Sequence, residues 1–149
     1  MITRILTIAA AGLLIAGTTV LAQGGLGPSD RRVTVSLTGA KEVPPTGSTG
    51  TGMVEGVINM SSRELRWNIK CSGLTGPVTA MHFHGPAAEG QNAGVVVPMQ
   101  GGCDGQGTTG KVVIDQNGLA DLLAGKWYVN VHTQRFPNGE IRGQAAVTR

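Results

Sequence analysis

The stretch MVEGVINMSSRELRWNIKC, residues 53–71, decides the fold class. Its first part, Met53 to Met60, is rich in apolar and β-branched residues. Its last part, Glu64 to Cys71, alternates: Leu65, Trp67, Ile69 and Cys71 occupy every second position and so share one face of a strand. Between the two, Ser61-Ser62-Arg63 is a short polar turn. The whole predicts a β-hairpin with an apolar face to bury.

The same grammar extends in both directions. Upstream, Val33, Val35 and Leu37 alternate with Thr34, Ser36 and Thr38, and Pro44-Pro45 with the GSTGTG run of residues 47–52 then ends any regular element. Downstream, strands are predicted over Val78 to His84, Gly94 to Met99, Thr108 to Ile114, Trp127 to His132 and Glu140 to Val147. Leu119 to Ala124 is the one helix-like stretch, too short to cover a sheet. About eight short strands with Gly-rich turns predict an all-β domain, an antiparallel Greek-key sandwich or barrel with one short connecting helix.

The beginning of the chain reads as an address. Arg4 is followed by an uncharged run, Ile5 to Leu21, and Val20 and Ala22 give the small-x-small pattern of a cleavage site before Gln23. A membrane anchor fits less well: the run is short of about 20 apolar residues, carries Gly12, Gly17, Thr18 and Thr19, and has no basic stop-transfer cluster behind it. The expected organisation is a signal peptide over residues 1–22, a flexible Gly-rich lead-in over 23–31, and one β domain over 32–149. Loss of the leader removes Arg4, so the formal net charge falls from +3 to +2 and the protein is expected in a secreted or periplasmic space with no membrane span. Nucleic acid is an unpromising partner, because the basic residues are scattered and aromatics are few. In an oxidising compartment the two cysteines, Cys71 and Cys103, are expected to pair as a disulfide rather than stay as buried thiols.

All three histidines fall in two strands. His82 and His84, two apart, project from one face of their strand, with Met81 and Phe83 on the other. His132 ends a strand in which Tyr128, Asn130 and His132 face away from Trp127, Val129 and Val131. If these strands meet, three neutral imidazoles converge, a donor set suited to Cu²⁺ or Zn²⁺ with a coordination position left open. Other motifs carry less. Gly105 to Lys111 has the spacing of a phosphate loop, but Val112 stands where Ser or Thr is needed and a strand follows. No carboxylate pair and no G-x-S-x-G elbow suggests a hydrolase. Asn59-Met60-Ser61 matches a glycosylation acceptor, relevant only in a eukaryotic secretory pathway.

Four stretches, Leu37 to Pro45, Ser72 to Ala87, Leu122 to Thr133 and Pro137 to Gln144, resemble the CHRD domain, a module named for chordin and common in exported bacterial proteins. They span almost all of the expected mature chain in order. The site itself has a weaker similarity to copper/zinc superoxide dismutase: His-x-His on one strand, a later His, then an Arg. That resemblance implies copper ligands at His82, His84 and His132, with Arg142 guiding superoxide or another small anion. It lacks the bridging fourth His and the zinc loop, so it implies at most a zinc-free copper site. The alternative is a non-catalytic extracellular binding module, with a structural metal or none, that meets its partners through exposed loops such as Glu42 to Thr51.

Overall fold

The computed structural model describes residues 25–149; the leader expected over Met1–Ala22 lies outside the described residues. Nine strands are found among the described residues: β1 Asp30–Thr38, β2 Thr51–Asn59, β3 Glu64–Ser72, β4 Val78–His84, β5 Val95–Met99, β6 Thr108–Val113, β7 Tyr128–Thr133, β8 Ile141–Gln144 and β9 Ala146–Thr148. Among the described residues one α-helix, α1 Gln116–Leu123, precedes β7, and a single 3-10 turn, Gly39–Lys41, follows β1. The pairing order is β5-β4-β7-β8-β1-β2-β3-β6, antiparallel throughout, with β9 also on β1. The sheet curls into a nearly closed all-β barrel, as the alternation predicts.

Alternation sets what is inside. Val33, Val35 and Leu37 of β1, Leu65, Trp67 and Ile69 of β3, Met81 and Phe83 of β4, and Val129 and Val131 of β7 are buried together in one core. Trp67 meets Phe83 edge to face at 5.4 Å, and Phe83 meets Trp127 at 6.0 Å, so aromatic rings bridge the interior between the two halves of the sheet. Gly110 lies opposite Trp67 on β6, where a Cβ would meet the indole at 2.3 Å.

Three details depart from the sequence reading. First, β1 begins at Asp30, so the last two residues of the expected lead-in are strand. Second, the helix starts earlier than Leu119, because the Asp115 side chain accepts from the Gly118 N–H at 2.7 Å and caps it; Leu119 and Leu122 form its buried face. Third, the strand expected over Glu140 to Val147 is two strands. At Ala145 the N–H donates to the Trp127 carbonyl, and the chain turns from β7 to pair with β1 as β9.

Cys71 and Cys103 form the expected disulfide across a separation of 32 residues. It fastens the loop between β5 and β6 to β3, where the Cys71 N–H also donates to the Cys103 carbonyl at 2.5 Å. Closing a loop of that length contributes about 3–4 kcal/mol in the chain-entropy account. The phosphate-loop lookalike is a turn, with Gly105 and Gly107 at φ 60° and 82°, running into β6. Asn59 serves the β2–β3 turn: its Oδ1 accepts from Ser61 and Ser62 N–H groups, while its Nδ2 donates to Asp30 at 2.8 Å.

Candidate metal centre

β4 and β7 are hydrogen-bonded neighbours, with His82 opposite Asn130 and Ala80 opposite His132. The strand pair therefore brings the three histidines to one patch of the barrel's outer face, as the two-strand spacing anticipates. One ligand atom from each of His82, His84 and His132 lies within 4.8 Å of the others, and all three rings are half-buried.

The backbone around the site chooses which nitrogens remain free. His84 Nδ1 lies 3.1 Å from the Ala93 carbonyl oxygen, and His132 Nδ1 lies 2.9 Å from the Pro137 carbonyl oxygen. A carbonyl only accepts, so each ring in its neutral form carries its proton on Nδ1 and leaves Nε2 bare. His132 Nε2 points at His82 Nδ1, 3.3 Å away. Two atoms each bonded to one tetrahedral ion at about 2.0–2.1 Å stand ~3.4 Å apart, so this pair already has the required spacing. His84 Nε2 is buried without any hydrogen-bond partner. The three ligand atoms lie within 4.8 Å of one another, so a shift on the order of 1 Å brings the set to tetrahedral spacing. Burial holds the pKa of His82 below its usual value, with His132 adding to the effect; burial does the same for His84, against the opposing hydrogen bond to Ala93. The shift favours the neutral form of both rings, which is the ligand-competent one.

The outer face is roofed, which alternation alone does not reveal. Tyr128 and Asn130, on the polar side of β7, are 3% and 5% exposed. Tyr128 stacks on His84 with ring centroids 4.8 Å apart and planes 6° from parallel. Glu42, placed by sequence in an exposed loop, is buried and accepts from Asn130 Nδ2 at 2.6 Å. Of the loop offered as a partner-binding surface, Glu42 and Gly50 are thus covered, and the Thr46 and Ser48 hydroxyls are bonded to Glu140. Arg142 is also buried, at 2% exposure, with its guanidinium bonded to Asn92 and Gln91 and stacked on Tyr128. Glu42 carries no signal in the sequence that separates it from a surface acid. Tyr128 and Asn130 do, through their parity with His132.

Burial pushes the Glu42 carboxyl up to about 7, although the Arg142 guanidinium and the Val43 backbone N–H pull it down. A raised carboxylate makes the folded state bind more protons than the unfolded state between about pH 4.5 and 7, so stability falls as pH rises through that window. The shift corresponds to roughly 3 kcal/mol. Glu42→Gln is expected to remove this slope. Denaturant titrations at pH 5 and pH 8.5 should show the variant gaining on the parent protein at the higher pH, and parallel losses in both proteins would refute the assignment.

The family model described as the CHRD domain matches residues 33–145. No curated protein and no solved structure matches the chain. The match runs from within β1 to the β8–β9 turn and includes every residue of the histidine cluster.

Proposed function

The chain belongs to the CHRD domain family, and from that premise we propose that this member is an exported metal-binding protein that holds one copper or zinc ion through His82, His84 and His132. The observation that carries the reading is the convergence of one ligand atom from each of His82, His84 and His132 to within 4.8 Å, beside a buried His84 Nε2 that has no hydrogen-bond partner. A buried nitrogen with no partner costs free energy unless something binds there. The disulfide supports a secreted or periplasmic setting.

Bound copper would supply one-electron redox chemistry and bound zinc a Lewis acid. The protein's own part is to orient the donors. The Ala93 and Pro137 carbonyls fix two tautomers, while the ring of Tyr128 supports His84. For His82 Nδ1 to serve as a ligand, its proton must move to Nε2. The copper-only dismutase reading, with superoxide or another small anion as substrate, rests on the order of the histidines.

Purified protein loaded with Cu²⁺ or Zn²⁺ and freed of excess metal is expected to retain one equivalent, with a nitrogen-rich EPR spectrum in the copper case. His82→Ala combined with His132→Ala should abolish retention, and unchanged stoichiometry would remove this site. Copper-loaded protein that dismutes superoxide no faster than free-copper controls would end the enzymatic reading alone. A second reading has its own observation: 3.3 Å is also a hydrogen-bond distance, so His82 and His132 are able to satisfy each other without metal in a non-catalytic binding module.

A further inference from the structure

Arg142 is the largest fully buried side chain among the described residues, and it lies where the dismutase likeness would put an anion guide. Its surroundings argue for different work. Nη1 donates to Asn92 Oδ1 at 2.8 Å, and Nη2 donates to the Gln91 carbonyl at 2.5 Å. The guanidinium carbon sits 3.5 Å from the centre of the Tyr128 ring. Both donor arms and one face are thus committed inside the protein, and at 2% exposure little remains to meet an incoming anion.

Those commitments converge on one carbonyl. Residues 85–94, between β4 and β5, form a strap across the outer face of β4, β7 and β8. Gln144 donates to the Ala87 carbonyl at 2.9 Å and anchors the strap's first half. Arg142 holds Gln91 and Asn92 in its second half. The next residue is Ala93. Its N–H donates to the Tyr128 hydroxyl at 3.0 Å, and its carbonyl accepts from that hydroxyl at 3.2 Å and from His84 Nδ1 at 3.1 Å. Arg142 therefore reaches His84 by two routes. It fixes the strap one residue before the carbonyl that selects the His84 tautomer, and it backs the Tyr128 ring whose other face supports the His84 imidazole.

We propose that Arg142 is a positioning residue for His84. Through the strap and Tyr128 it holds the imidazole in the Nδ1–H tautomer, with Nε2 presented to the metal. The inference rests on the metal-binding reading for its purpose, but the tautomer is a property of the metal-free protein and is tested without it. A planar fork does this work and an ammonium does not, because two diverging bonds and a ring stack must be made at once.

The experiment is long-range ¹H–¹⁵N correlation of the histidine rings in metal-free protein near pH 8, for the parent and for Arg142→Met, Arg142→Lys and Asn92→Ala, followed by Cu²⁺ and Zn²⁺ titration of each. The parent should show His84 as a single Nδ1–H tautomer. Both Arg142 variants should show mixed tautomers at His84, an unchanged pattern at His132, and metal affinity lower by about 10–100-fold, the usual effect of losing an outer-shell partner. Asn92 is exposed, so Asn92→Ala leaves the core intact and keeps the test decisive if the Arg142 variants fail to fold. It should shift the same tautomer to a smaller extent. A pure Nδ1–H tautomer at His84 in a folded variant overturns the proposal. A parent protein that takes up no metal refutes the metal reading, while the ring spectra still decide the role of Arg142.

Discussion

Glu140→Ala is expected to destabilise the protein by about 4 kcal/mol or more, the scale of breaking a buried charged network. Glu140 is fully buried, and its carboxylate accepts four hydrogen bonds: from the Ser48 hydroxyl, the Thr75 N–H and hydroxyl, and the Thr133 hydroxyl. Its backbone carbonyl accepts a fifth, from Thr46. The donors come from three separate segments, so the carboxylate fastens the β1–β2 loop and the β3–β4 loop to the end of β7. Burial alone would raise its pKa, but the Ser48, Thr133 and Thr75 bonds outweigh it and hold the group below the usual carboxylate value. A depressed pKa contributes stability that is complete above the unfolded value of about 4.5 and is lost as pH falls through the folded value. Thermal denaturation should show the variant melting on the order of 10–20 °C lower at neutral pH. The gap should narrow on acidification. Glu140→Gln keeps the shape and one acceptor oxygen, so it should fall between the two. A melting temperature within 2–3 °C of the parent, roughly the effect of an ordinary surface change, would contradict this account.

Gly143→Ala is expected to cost at least as much, for a steric reason. Gly143 lies on β8 facing the interior, and a Cβ there would stand 2.2 Å from the Ser36 carbonyl oxygen and 2.8 Å from its carbon. That neighbour is backbone, so no side chain turns aside to make room. The position is also the joint of the barrel. The half made by β5, β4, β7 and β8 meets the half made by β1, β2, β3 and β6 through one ladder pair between β8 and β1, Thr38 with Arg142. A methyl group would push these strands apart and forfeit hydrogen bonds beyond the usual 1–3 kcal/mol of overpacking. Gly47→Ala is the matched control, since a Cβ there meets nothing within 4 Å. Equilibrium unfolding should leave the Gly47 variant unchanged and the Gly143 variant largely unfolded or poorly expressed. Equal stability of the two would show that β8 has room to move.

What was legible in the sequence follows from what a period of two encodes. The hairpin of residues 53–71, β4 from Val78 to His84, the parity of His82, His84 and His132, and the cysteine pair all read correctly, because each depends on local alternation or on compartment chemistry. What alternation does not encode is whether a strand's outer face is open or roofed. Tyr128, Asn130 and Arg142 are buried by the strap and by Glu42, elements far away in sequence: 88 residues separate Glu42 from Asn130. Glu140 was one dispersed acid among nine, and its side-chain partners lie between 7 and 92 residues away. The splitting of the last strand at Ala145 was hidden for a similar reason. The segment stays extended while it changes neighbour.

The register of β4, β7 and β8 has a consequence for reading natural variation in this chain. On these three strands the odd positions, Met81, Phe83, Val129, Val131, Ile141 and Gly143, belong to the interior. The even positions, His82, His84, Tyr128, Asn130, His132, Arg142 and Gln144, belong to the outer polar layer. Beyond the register shift between Val78 and Ala80, the interior and polar inventories alternate one residue apart. Substitutions at the odd positions are expected to act through core packing, and those at the even positions through the polar layer around the histidines. A single-residue insertion in any of these strands exchanges the two inventories and forfeits both.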